Sequence, residues 1–252
     1  LNRKIGSEKL KQLNFYDVDA ELYDALVTDC SFWKASDSNI IDEWLKEMPR
    51  EGVVLDLGCG TGKSAIPIYN SGRRVIATDI SMGMIRKAIK KSYDFGAGGI
   101  TYFLSDVEDL PLNRDCFSAV MSSGVLHHLV DPCSVVKNIA RLLKPGGCFY
   151  SHENHASLAR PLFDLLMKAN KLWNEEAGSH PLFRIKEIKD LLEVSGLCPD
   201  IRTSVFLPPH IFNLISYRLG KVILSVTDSL FGRRFLFRDF GGLLIIKGRK
   251  IK

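Results

Sequence analysis

No stretch of this 252-residue chain reaches the roughly 20 consecutive apolar residues that a membrane-crossing helix requires. A helical span is therefore not expected. The six cysteines (Cys30, Cys59, Cys116, Cys133, Cys148, Cys198) include no C-x-x-C pair, and no H-E-x-x-H is present. This removes the usual zinc and dithiol readings, and no metal site is expected. Scattered free thiols that pack as small apolar groups fit a reducing cytoplasm. The opening L-N-R-K-I-G-S-E-K-L lacks the apolar core of a secretion signal. There is no internal repeat, no low-complexity tract and no nucleic-acid-binding module, so a nucleic-acid partner is not expected.

What is present has the proportions of a globular α/β chain. Hydrophobic residues make up 46% and charged residues 25%, close to globular averages. The net charge of +5 is uneven: Pro208 to Lys252 holds nine Lys and Arg against two Asp, a local +7, which leaves about −2 on the first 207 residues. From residue 50 onward, β-rich runs alternate with helical patterns, which demands a mostly parallel sheet with right-handed crossovers. Ser81 reads as the N-cap of a helix through Lys91 and Asp131-Pro132 as the cap of another ending at Lys144. A fifth strand is expected over Cys148 to Ser151, a sixth over Ile201 to Leu207 and a last over Leu243 to Gly248.

The most informative tract is Val53 to Gly62, V-V-L-D-L-G-C-G-T-G. An apolar strand runs through Asp56 into glycines at alternate positions, so the main chain can turn sharply and lie against a ligand. A carboxylate beside the turn would repel a pyrophosphate and suits a cationic amine. Arg74 to Asp79 is a second strand ending in an acid 21 residues after Gly58. Ile100 to Leu104 leads into Ser105-Asp106-Val107. Phe117 to Ser122 is followed by V-L-H-H-L, and Leu142-Leu143-Lys144-Pro145-Gly146-Gly147 precedes the fifth strand.

This ordered set, from about residue 50 to 152, resembles the class I S-adenosylmethionine-dependent methyltransferases of the small-molecule and lipid type, with a core like methyltransferase domain 11. The resemblance implies a Rossmann-like doubly wound sheet of seven strands with an antiparallel last strand. It implies one domain over 1–252, with an N-terminal helical lid (1–49), a cofactor-binding core (50–152) and substrate-side insertions at 153–183 and 208–240. It implies S-adenosyl-L-methionine as cofactor and S-adenosyl-L-homocysteine as product. Asp56, Gly58, Cys59, Gly60 and Gly62 would shape the methionine end, with Tyr16 from the lid. Asp79, Ile80 and Met84 would hold the ribose side, Asp106 and Val107 the adenine, and Ser122, Ser123 and His127 the far wall.

Catalytic candidates sit where ligands bind in parallel sheets, past the carboxyl ends of the strands. They are His128, His127 and Glu153. A histidine there suits a general base, and equally suits a cap on the cofactor pocket. The resemblance implies in-line methyl transfer to a small-molecule or lipid-like acceptor. The alternative is a non-catalytic cofactor-binding or membrane-peripheral subunit on the same fold. In 208–240, Ile211, Ile215, Leu219, Val222 and Val226 recur at helical spacing beside Arg218 and Lys221. Such a helix fits a lid packed on the sheet, and also peripheral contact with an anionic membrane. The acceptor and the oligomeric state stay open at this level.

Overall fold

A computed structural model describes residues 17, 23–24, 31–169 and 182–251. Tyr16, most of the expected lid before Ser31, and residues 170–181 of the first insertion lie outside the described residues. In chain order the main elements are α1 (Ser31–Glu47), β1 (Val53–Leu57), α2 (Ala65–Asn70), β2 (Arg74–Asp79), α3 (Met82–Asp94), β3 (Thr101–Leu104), β4 (Phe117–Ser123), α4 (Pro132–Leu142), β5 (Leu143–Asn154), α5 (Arg160–Ala169), α6 (Ile185–Val194), β6 (Leu197–Ser204), α7 (Tyr217–Phe231) and β7 (Leu243–Lys250). The strands form one sheet in the order β3-β2-β1-β4-β5-β7-β6. Only β7 is antiparallel to its neighbours. The chain leaves β1 toward β2 and β3 and returns to β4 on the other side, which opens a crevice at the carboxyl ends of β1 and β4.

Both faces of the sheet are covered, as the period-two alternation of its strands requires. On one face Ala119, Met121, Cys148, Tyr150 and Ile245 pack with Ile40 and Trp44 of α1 and Leu224 of α7. On the other, Val120, Phe149, Leu244 and Ile246 pack with Val136 and Ile139 of α4 and Ile188 of α6. Helix starts follow local chemistry: Ser81 accepts from the Met84 amide (3.1 Å), and Asp131 accepts from the Ser134 amide (3.0 Å) ahead of Pro132.

Several boundaries differ from expectation. The helix before the fifth strand stops at Leu142, and β5 begins at Leu143. The Lys144–Gly147 turn lies inside β5 as an irregularity, since Phe117 pairs with Leu143 and Ala119 with Cys148. β5 also runs on to Asn154, because antiparallel β7 pairs with it as far as Leu243. His152 and Glu153 are thus strand residues on opposite faces, not members of a following loop. β6 begins at Leu197, four residues early, and Pro199 is tolerated there because β6 is an edge strand.

The stripe noted in 208–240 is not the buried face of α7. Gly220 and Leu224 are buried, whereas Leu219, Val222 and Val226 are about half exposed, at 49%, 58% and 51%. Tertiary ties set that orientation: Lys221 bonds Ser38 (2.9 Å) and pairs with Asp42 (2.5 Å), and Asp228 pairs with Arg202 (3.2 Å).

Candidate active site

The glycine turn follows β1 directly. Gly58 has φ +66°, and a β-carbon there would stand 2.5 Å from Val125 Cγ2, so only glycine lets the turns after β1 and β4 touch. The Gly60 amide donates to Asp79 Oδ2 (2.8 Å) and the Ser81 amide to Asp79 Oδ1 (2.9 Å). Asp79 therefore clamps the glycine turn to the start of α3, and each oxygen keeps a second lone pair. Cys59 contributes backbone only: its thiol is buried among core residues, and burial pushes it well above the ordinary thiol range.

Asp56 lies beneath the turn, 1% exposed. The Ala65 amide is near enough to favour its charge a little but not in hydrogen-bonding geometry, and neither oxygen has a hydrogen-bond partner. Burial and then the neighbouring Asp79 raise its pKa to about 7, against a smaller opposing pull from Lys63. Both oxygens are enclosed, and Asp56 is not among the residues that line the cleft described next.

Gly58, Gly60, Asp79, Ile80, Met84, Asp106, Val107 and Ser123 line one cleft, together with His128. Gly62 stands behind it, where a β-carbon would meet Ile66 and the Tyr102 hydroxyl. Ser122 is 2% exposed within the sheet, and its carbonyl accepts from Ser151 Oγ (2.5 Å), so the far wall begins at Ser123. At the other end Glu108 Oε1 accepts from the Val130 and Asp131 amides (3.2 Å each), which ties the loop after β3 to the loop after β4.

Two lining residues were given no role by the sequence reading, Tyr23 and Leu129, whereas Gly124 and Val125 fall between Ser123 and His127 of the expected far wall. A signal for the first existed, since Tyr-Asp occurs at 16–17 and again at 23–24. Both aspartates bond groups beside the cleft. Asp17 accepts from Ser81 Oγ (2.5 Å) and the Gly83 amide (2.9 Å). Asp24 accepts from Thr61 Oγ1 (2.6 Å) and pairs with Lys91 (3.0 Å).

Glu153 and His127 form a pair across the sheet end. His127 Nδ1 lies 2.7 Å from Glu153 Oε2. Glu153 is 1% exposed, and its Oε1 accepts from the Val125 amide (3.1 Å), the Leu126 amide (2.9 Å) and, more weakly, Ser151 Oγ (3.3 Å). It touches the turn and the imidazole rather than the cleft, which makes it a positioning residue. The His127 and His128 rings are 4.1 Å apart by centroids.

A sequence profile of the family described as "Methyltransferase domain" matches residues 55–151. A demethylmenaquinone methyltransferase of Clavibacter sepedonicus is 36% identical over 120 residues, covering 46% of this chain and 48% of its own. The chain thus spans about half the length of that relative. The O-methyltransferase resE of Aspergillus sclerotiorum is 31% identical over 197 residues, covering 70% of this chain and 69% of its own. Among solved structures, the [4+2]-cyclase SpnF superposes with a TM-score of 0.68 at 16% identity, covering 97% of this chain and 96% of its own. That last likeness is one of fold alone, and it shows that the fold does not dictate the reaction. The sequence matches carry the rest, and by them this chain belongs to the class I S-adenosylmethionine-dependent methyltransferase family.

Proposed function

We propose that the protein methylates a hydroxyl of a small or lipid-like acceptor, using S-adenosyl-L-methionine. The observation that carries this reading is the buried Glu153–His127 pair beside a cleft whose residues fit the cofactor. When bound, the cofactor supplies an electrophilic methyl group on a sulfonium with a neutral leaving group. The chain's own residues do the rest. Asp79 takes the ribose hydroxyls on its spare lone pairs, Asp106 faces the adenine amino group, and Asp56 balances the ammonium. Glu153 accepts two backbone amides and so acts as an acceptor toward His127, which makes Nδ1 the protonated nitrogen and Nε2 the ring's basic one. General-base assistance of this kind contributes about 10²- to 10⁴-fold. Support for a quinone-like acceptor comes from the relative named above.

The test is transfer of labelled methyl from S-adenosylmethionine to a panel of hydroxylated quinols and phenols. Methylated product is expected from at least one. Binding of S-adenosylhomocysteine without transfer to any member would favour a non-catalytic cofactor-binding subunit.

A second reading concerns where a greasy acceptor is met, and a specific observation supports it. Besides the outward stripe of α7, Phe235 and Leu236 are 74% and 77% exposed beside Arg234 and Arg238. No helix among the described residues is long and apolar enough to cross a membrane. An apolar surface next to arginines suits the face of an anionic bilayer. In flotation, the protein is expected to rise with phosphatidylglycerol-containing vesicles, not with phosphatidylcholine alone, and to be released by salt. Phe235→Asp with Leu236→Asp is expected to abolish flotation; no anionic-lipid dependence in the unaltered protein would sink the idea.

A further inference from the structure

Tyr23 lines the cleft with the glycine turn and Asp79, yet it belongs to none of the loops that follow the strands. It comes from the segment before α1, and its chain neighbour Asp24 is tied into the body of the fold. Asp24 Oδ1 accepts from Thr61 Oγ1 (2.6 Å), and its two oxygens accept from Lys91 Nζ (3.0 and 3.1 Å). Lys91 Nζ also donates to Thr61 Oγ1 (3.2 Å), which closes a triangle, and Lys87 Nζ stands 3.5 Å from Asp24 Oδ2. Thr61 is 1% exposed inside the glycine turn, and the three charged side chains are largely buried. Thr61, Asp24, Lys87 and Lys91 do not line the cleft themselves.

The chemistry of α3 explains why these groups meet. Lys87 and Lys91 lie four residues apart on one face of the helix, where like charges repel. A carboxylate set between them removes that repulsion, and a charge-assisted bond shielded from water is stronger than an exposed one. A second tie is made by Asp17, which accepts from Ser81 Oγ and the Gly83 amide at the start of the same helix. A β-carbon on Gly83 would stand 2.8 Å from the Asp17 carbonyl oxygen, so only glycine admits that approach. Tyr23 thus lies between two aspartates that are each bonded to α3 or to the turn beside it. Burial raises the Tyr23 hydroxyl above its ordinary range, so the side chain meets a ligand uncharged.

We propose that Asp24 is a positioning residue for the cofactor: through Thr61 and Lys91 it holds Tyr23 in place at the cleft and slows ligand release. This rests on the methyl-transfer reading above, which makes the ligand S-adenosylmethionine or its demethylated product. Ordering a tyrosine on a segment outside the sheet costs conformational entropy, and the Asp24 bonds meet that cost before the ligand arrives. The gain appears in affinity, and mainly as a lower dissociation rate.

The experiment follows release of S-adenosylhomocysteine by stopped-flow displacement, with calorimetry for affinity and Tm as the folding check. Asp24→Ala is expected to speed release about tenfold, the effect of one lost contact of ordinary strength. Thr61→Val keeps the shape of the side chain and removes the hydroxyl, and is expected to speed release about threefold. A double-mutant cycle on affinity separates positioning from a general loss of structure. If Asp24 acts through Tyr23, Asp24→Ala weakens binding beside Tyr23 but changes it by less than about twofold in a Tyr23→Ala background. Where Asp24→Ala does not fold, the same cycle is run with Thr61→Val. Fully additive losses overturn the inference, as does release within about twofold of the unaltered protein in both single variants. Failure of the unaltered protein to bind S-adenosylhomocysteine is seen before any substitution, and overturns the methyl-transfer reading and this inference with it.

Discussion

Asp79→Ala is expected to weaken S-adenosylhomocysteine binding by more than about 100-fold while the protein stays folded. The side chain does two things at once. It fixes the Gly60 and Ser81 amides at 2.8 and 2.9 Å, which sets the shape of the glycine turn, and in the function proposed above it also accepts from two ribose hydroxyls. Hydrogen bonds to a charged acceptor are worth about 1.5–3 kcal/mol each, so two of them amount to at least about two decades in affinity. The carboxylate is nearly buried, and burial raises its pKa despite the backbone amides that stabilise its charge. Removing it relieves a desolvation cost but leaves the Gly60 and Ser81 amides without their acceptor, so folding is checked alongside binding. Calorimetry on both proteins, with far-UV circular dichroism as the folding check, decides the matter. Near-unchanged affinity would show that the cleft holds its ligand by other groups.

Glu153→Ala is expected to lower unfolding stability by about 3–5 kcal/mol, the usual cost of leaving buried polar partners unpaired. Two turn amides and the His127 ring lose their acceptor together, while Ser151 Oγ keeps the Ser122 carbonyl. For a chain of this size each kcal/mol corresponds to about 2–4 °C, so a Tm drop on the order of 10 °C should be read by differential scanning calorimetry. Glu153→Gln keeps one acceptor oxygen for the amides, but its NH₂ cannot accept from His127. It should retain more of the stability and lose the orientation of the imidazole. A loss below about 1 kcal/mol in the alanine variant would show that the turn after β4 stands without Glu153.

The pattern of legibility follows from how far each feature reaches along the chain. The glycine turn, Asp79 and Asp106 each sit at a strand's carboxyl end within a few residues of the hydrophobic run that defines the strand, so both position and chemistry could be read locally. The N-caps Ser81 and Asp131 were legible for the same reason. The extent of β5 was not, because its last residues are strand only while β7, almost 90 residues later, pairs with them. That misplacement put Glu153 past the end of the strand. In the fold Glu153 faces His127, His152 faces Trp44, and His155 bonds the Gly241 carbonyl (2.7 Å).

The sequence by itself determined the sheet, the carboxylates at its strand ends and the family, because strand alternation and the glycine–acid signatures are written within short windows. Only the tertiary structure decided that Glu153 pairs with His127 and the turn amides, and that the apolar stripe of α7 faces outward. Each of these depends on which distant segments pack together, and periodicity along the chain reports that a face is apolar without reporting what, if anything, lies against it.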